Sequence, residues 1–195
     1  VLPPEWTHCG DSDYAGGTIL ECGYKVRVRC SPEELWEPLS RVGGKNGWYF
    51  ADFLWRIRGT IDEIVGGPGL RRGRRDPKNL QAGDALDFFR VMEVDPPNRL
   101  VLKAEMKFPG EALADYRLNS FGAEETEFTL LSRFLPKGIG GILYWFTLLP
   151  FHEYIFFGML KNLAKASGKK ITWGPKRFTP RTKDSCFIPP KTPNK

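Results

Sequence analysis

Cysteine and histidine are scarce. Four cysteines (Cys9, Cys22, Cys30, Cys186) and two histidines (His8, His152) are spread over 195 residues. No two cysteines form a CxxC pair and the histidines lie far apart, so neither a disulfide framework nor a zinc centre is expected. The thiols read as reduced, in a cytoplasmic protein. Three other signatures are missing: the phosphate-cradling GxxxxGK[ST], the dinucleotide GxGxxG and the nucleophile elbow GxSxG. Their absence excludes a P-loop, a Rossmann cofactor site within this chain and an esterase-type serine. No cofactor and no metal are therefore expected. Residues 1–10 lack the basic start and apolar core of a signal peptide, and the missing initiator Met reads as a trimmed or mature chain.

Charge of one sign is also missing from most of the chain. The overall +6 resides in residues 169–195, which hold eight basic residues, one acid and five prolines, whereas residues 1–168 are nearly neutral. A uniformly basic nucleic-acid surface is not expected of such a body. The longest apolar stretch, between Lys137 and Lys161, has Glu153 as its one formal charge, yet Gly138, Gly140, Gly141, Pro150 and His152 interrupt it. An ionised Glu at bilayer depth is costly, so a buried helix is expected rather than a transmembrane span, with membrane-surface contact left open.

What is present reads as three parts: a lead-in over 1–17, a domain over 18–168 and a basic, Pro-rich extended tail over 169–195. Thr18–Cys30 alternates at Tyr24, Val26 and Val28, as a half-buried strand does. Ser31, Pro32 and Glu34 form a capping box with Pro at the first helical position. A second helix is expected over Ala51–Val65, with Leu54, Ile57, Ile61 and Ile64 on one stripe and Gly66-Gly67 as the stop. After the Gly- and Arg-rich connection, four strand-length segments follow: Ala85–Val94, Arg99–Phe108, Glu111–Phe121 and Glu124–Leu135. Short turns between them imply an antiparallel meander. A long helix is expected over Gly141–Ala166, with Pro150 opening its second part. The order gives an α+β fold, a curved antiparallel sheet wrapped around a long C-terminal helix, with a cavity for an apolar ligand between them.

Three groups could carry chemistry. Arg71, Arg72, Arg74 and Arg75 stand among glycines, a composition suited either to an anion or to ion pairs with Asp62, Asp76, Asp84 or Asp87. On the first meander strand, Asp87 alternates with Phe88 and Arg90. An inward Arg90 beside Phe88 and Met92 needs an acid such as Glu105, as a structural pair or as a polar anchor in the cavity. His152-Glu153 is the one general acid/base pair, although neighbours on a helix do not face each other.

The stretches GGKNGWYFADFLWRIRGTIDEIVGGPGLRRGRR (Gly43–Arg75), GDALDFFRV (Gly83–Val91), LKAEMKFPGEA (Leu102–Ala112) and FLPKGIGGILYWFTLLPFHEYIF (Phe134–Phe156) resemble an uncharacterised domain family. That family is found C-terminal to short-chain-dehydrogenase-like (NmrA-like) Rossmann domains and is similar to the START/SRPBCC, polyketide-cyclase-like superfamily with its helix-grip fold. The resemblance implies a ligand cavity and a Rossmann-fold reductase as a partner. It nominates Trp55, Arg58, Asp62, Arg74, Asp87, Arg90, Glu105, Tyr144 and His152 as pocket residues, without a reaction. The expected function is binding of a hydrophobic small molecule with a polar or anionic group, read by Arg58, Arg90 or the Arg71–Arg75 loop. Two alternatives stand beside it. One is a cyclase, hydratase or lyase using His152, Glu105 or Asp87. The other is an interaction module for a Rossmann reductase or an anionic surface.

Overall fold

A computed structural model of the chain describes residues 19–70 and 72–180. The lead-in, His8, Cys9, Arg71 and Cys186 lie outside the described residues.

The first strand, β1 (Leu20–Val28), buries Cys22, Tyr24, Val26 and Val28, one face of a period-two pattern. Helix α1 (Pro32–Ser40) follows, its capping box closed by Ser31 N donating to Glu34 Oε2 at 3.0 Å. Helix α2 spans Asp52–Ile64. The meander comprises β2 (Ala85–Leu86), β3 (Phe89–Asp95), β4 (Arg99–Ala104), β5 (Gly110–Phe121) and β6 (Glu125–Pro136). Helix α3 covers Gly138–Ala166, and β7 (Ile171–Phe178) follows it. The seven strands form one antiparallel sheet in the order β2-β3-β4-β5-β6-β1-β7, with α3 packed on β6, β1 and β7. This is the helix-grip arrangement the order of elements implied.

Four details differ from the reading of the sequence. Ala85–Val94 is not one strand: Leu86 pairs with Phe89, and Asp87-Phe88 is a two-residue hairpin turn. Asp87 takes φ 53°, as the first central residue of such a turn requires. The alternation of β3 therefore starts anew after the turn. Phe89 and Val91 join the core, while Arg90 stands on the opposite side, half-buried rather than inward. Second, α3 runs through Pro150 without a break. That residue sits on the exposed side of the helix, where water can satisfy the carbonyl that loses its donor. Third, within the segment read as an extended tail, Ile171–Phe178 pairs with β1. Fourth, the apolar stripe of α2 faces outward: Ile57, Ile61 and Ile64 are exposed, and the helix buries Gly59 and Asp62 instead.

The main core lies between the inner sheet face and α3. Tyr24 meets Phe156 and Phe157 edge-on at 5.8 and 5.1 Å, Phe134 stacks on Trp145 at 5.5 Å, and the Tyr116 hydroxyl points at Met159 Sδ. Cys22 and Cys30 are buried free thiols, and burial pushes both up to about 11, so neither is a reactive thiolate near neutral pH. No helix among the described residues is long and apolar enough to cross a membrane.

Candidate functional site

The glycines of Gly43–Gly47 make the site's floor. Gly43, Gly44 and Gly47 all take positive φ, bending the chain through the 3-10 turn Gly44–Asn46. At Gly47 a Cβ would lie 2.7 Å from the Asp52 carboxylate, and this close approach lets Trp48 N donate to Asp52 Oδ1 at 2.8 Å. Trp48 is thereby held against the start of α2. Its indole lies 5.4 Å from Trp55, 5.0 Å from Phe89 and 6.2 Å, stacked, from Phe88.

Asp87 closes this wall. Its Oδ2 accepts from Gly44 N and from Trp48 Nε1, both at 3.0 Å. Burial raises its pKa above the ordinary carboxylate value, against the lowering by those two donors. Asp87, Tyr49 (φ 63°) and Ala51 (φ 53°) are the non-glycine residues with left-handed backbone among those described, and all three border or adjoin one cleft. Strain gathered in one place, on residues whose side chains are tied down, is a recurrent property of binding sites.

The cleft encloses about 650 Å³ between the Gly43–Trp48 turn, the first half of α2 and the 70–77 connection. Trp48, Trp55 and Leu70 supply apolar wall, and Lys45, Arg56, Arg72 and Arg74 supply positive charge. Its two acids are engaged, Asp52 by Trp48 N and Asp87 as above. Arg74 donates through Nε to the Asp76 carbonyl and through Nη1 to the Val42 carbonyl at 3.1 Å. Its Nη2 is buried without a partner. Burial lowers its pKa, against the raising effect of Asp76 and Asp84. Arg72 gives Nη1 to Glu105 Oε2 and leaves Nε and Nη2 buried and unpartnered. Buried polar hydrogens without acceptors are costly, and an anion in the cleft would satisfy them.

The nine nominated residues thus divide. Trp55, Arg74 and Asp87 line the cleft. Glu105 binds Arg90 through two contacts (3.0 and 3.1 Å) and also binds Arg72, a bridge that props the Arg72 loop. Burial would raise its pKa, but the two guanidiniums outweigh this and hold the carboxyl low. Asp62 is a fully buried strut: it accepts from Gly69 N at 2.9 Å and Lys107 N at 2.6 Å, with Arg58 Nη1 at 3.7 Å. Tyr144 stacks on Phe108 at 5.9 Å, and His152 lies between Trp145 and Phe156. These last two sit along α3, apart from the cleft. The cleft therefore opens beside α2 and not between sheet and α3, because Trp145, Phe156 and Met159 pack onto the sheet there.

Of the arginine loop, Arg75 pairs with Asp84 at 2.7 and 3.0 Å, as the ion-pair reading expects, whereas Arg72 and Arg74 turn to the cleft. The sequence reading missed Trp48, Lys45 and Arg56 as lining residues, and offered Arg72 only as part of the Arg71–Arg75 loop. The signal for Trp48 was present in GGKNGW, where glycines crowd an aromatic residue.

No curated protein matches the chain in sequence. Among solved structures, the chain is similar to the ZhuI aromatase/cyclase from Streptomyces sp. R1128, with 14% identity over 77% of this chain and 94% of that one and a TM-score of 0.48. It is similar to norcoclaurine synthase from Thalictrum flavum, with 10% identity, 85% and 95% coverage and a TM-score of 0.47. An HSP90 activator from Plasmodium falciparum gives 14% identity, 80% and 100% coverage and a TM-score of 0.44. The family described as Protein of unknown function (DUF2867) matches residues 14–159, a span that contains all four motif stretches quoted above. With most of its length and every one of those motifs inside that match, the chain belongs to the DUF2867 family.

Proposed function

We propose that the chain binds a small molecule with a flat apolar body and an anionic group, taken up in the cleft between the Gly43–Trp48 turn, α2 and the 70–77 connection. The observation that carries this reading is the pair Arg72 and Arg74, whose buried unpartnered nitrogens border a cavity walled by Trp48 and Trp55. Cavities of roughly 300–1,000 Å³ with an apolar lining and few convergent polar groups suit such ligands. The guanidinium fork selects carboxylate, sulfonate or phosphate through two-point contacts, and the indoles favour a planar ring.

The test uses 1-naphthyl phosphate and its neutral counterpart 1-naphthol, followed through tryptophan fluorescence. The phosphate should bind more tightly, and Arg74→Gln should weaken it by about 10-fold to 100-fold, the worth of a charge-assisted hydrogen bond. Equal affinity for both probes, or no effect of R74Q, overturns the reading.

An acid/base role in the same cleft rests on Asp87. Of the three acid/base candidates, Glu105 is held ionised in its arginine bridge and His152 is packed among aromatics. Asp87 borders the cleft with a raised pKa. If catalysis occurs there, Asp87→Asn should retain naphthyl phosphate binding and lose conversion of any molecule the wild-type protein transforms, read by mass change. Unaltered conversion by D87N removes this role.

A further inference from the structure

The outward stripe of α2 has a counterpart on α3. Phe53, Ile57, Ile61 and Ile64 are exposed on α2, and Ile139, Ile142, Leu143 and Phe146 on the first half of α3, with Ile64 79%, Ile139 76% and Leu143 64% accessible. The two stripes lie at the same end of the molecule, on either side of one connection. Arg58 and Asp62 of α2 bond the backbone of Lys107, while Tyr144 of α3 stacks on Phe108 and Lys137 N donates to the Pro109 carbonyl at 3.0 Å. At the other end of α2, Phe50 packs on Tyr154 and against Gly158. The two helices therefore flank this connection and run in opposite senses. Isolated surface hydrophobics need no explanation, but eight on two helices that flank one connection do.

The exposed charges around them are mostly basic, and the exposed acid beside the α2 stripe, Glu63, is itself engaged in an interaction. Lys107 and Lys137 are exposed, neither is in an ion pair among the described residues, and the chain carries no acid from Lys137 to His152. We propose that the α2 and α3 stripes dock the protein onto an anionic membrane surface. Isoleucine, leucine and phenylalanine enter the headgroup boundary while Lys107 and Lys137 meet lipid phosphates and acidic headgroups. The helices lie along the surface and do not cross it, since neither is long and apolar enough to span. The cleft and its ligand play no part in this inference.

Co-sedimentation of the full chain with vesicles tests it, using phosphatidylcholine alone and phosphatidylcholine with 30% phosphatidylserine. Binding is expected to the anionic vesicles and to weaken in high salt. Ile61→Ser/Leu143→Ser removes apolar contact without adding charge and should reduce binding by about tenfold or more, with an unchanged thermal transition because both side chains are exposed. Lys107→Gln/Lys137→Gln should reduce binding to anionic vesicles alone. Three results overturn the proposal. One is no binding to either vesicle. Another is undiminished binding of the Ile61→Ser/Leu143→Ser chain, which would assign binding to other basic residues, such as those of the C-terminal segment. The third is a wild-type dimer in sedimentation velocity that this double variant dissociates, which would make the face a contact between copies.

Discussion

Asp115→Ala should lower the stability of this protein by about 3–5 kcal/mol, the range for removing one partner of a buried charge cluster, and urea unfolding reads the loss directly. Asp115 lies on the outer side of β5, since its neighbours Ala114 and Tyr116 point into the main core. It is nonetheless 2% accessible. Its Oδ1 accepts from Arg99 Nε at 3.0 Å, and Oδ2 accepts from Arg99 Nη2 at 2.8 Å and Arg117 Nη2 at 2.7 Å. Register explains the convergence: Arg99 on β4 sits directly across from Arg117 on β5, and the acid two residues before Arg117 lies diagonally across from Arg99. Burial opposes the charge of Asp115, but the two guanidiniums outweigh that cost and hold its pKa below the ordinary value. Alanine would strand two like charges facing each other across a ladder, with Glu93 at 3.4 Å from Arg99 as partial relief. A double-mutant cycle with Arg99→Leu isolates the coupling, because the doubly substituted chain no longer buries the Arg99 charge. A loss below about 1 kcal/mol in D115A would mean that the pair behaves as an exposed surface bridge.

The second large effect is a pH dependence set by His152. Its ring stacks on Phe156 at 5.2 Å and meets Trp145 edge-on at 5.5 Å, with Nδ1 buried and unpartnered. Burial lowers its pKa from 6.5 to about 4. Between those values the unfolded chain binds a proton that the folded chain refuses, so stability falls as pH falls from 6.5 towards 4 and the loss is complete below the folded value. Above pH 6.5 both states are neutral and the residue contributes no slope. The full loss is about 3 kcal/mol. His152→Phe keeps an aromatic ring in the stack and should flatten the stability profile across that window relative to wild type. His152→Leu serves the same purpose if phenylalanine overfills the site. Parallel profiles for wild type and both variants would show that His152 titrates normally.

How much of this was legible beforehand follows from the range of the interactions involved. The alternation of Thr18–Cys30, the capping box at Ser31–Glu34 and the turns at Asp95–Asn98 and Gly122-Ala123 depend on neighbours a few residues apart, and each of these expectations matched an element. The Arg90–Glu105 pair was anticipated from chemistry alone, because a half-buried arginine on a strand demands an acid, although the side it faces was misread. That error has a local cause. A continuous period-two pattern ran through Ala85–Val94, and nothing in Leu-Asp-Phe-Phe marks a hairpin, since the usual glycine or asparagine is absent. Asp87 tolerates the left-handed backbone there because Gly44 and Trp48, some forty residues earlier, bond its carboxylate.

The sequence by itself determined the fold, because periodicity and turn chemistry are short-range and the antiparallel connections leave few alternatives. It also determined that the site would combine tryptophan, glycine and arginine, since those residues recur in its most distinctive stretch. Only the tertiary structure decided where that site opens and which way α2 faces. The apolar stripe of α2 looks like any core-seeking helix until Asp62 is seen satisfying Gly69 and Lys107, which turns the stripe outward. A buried carboxylate with backbone donors to satisfy outweighs the burial of a few isoleucines. Composition cannot register that balance, because it depends on which distant backbone groups arrive beside the acid.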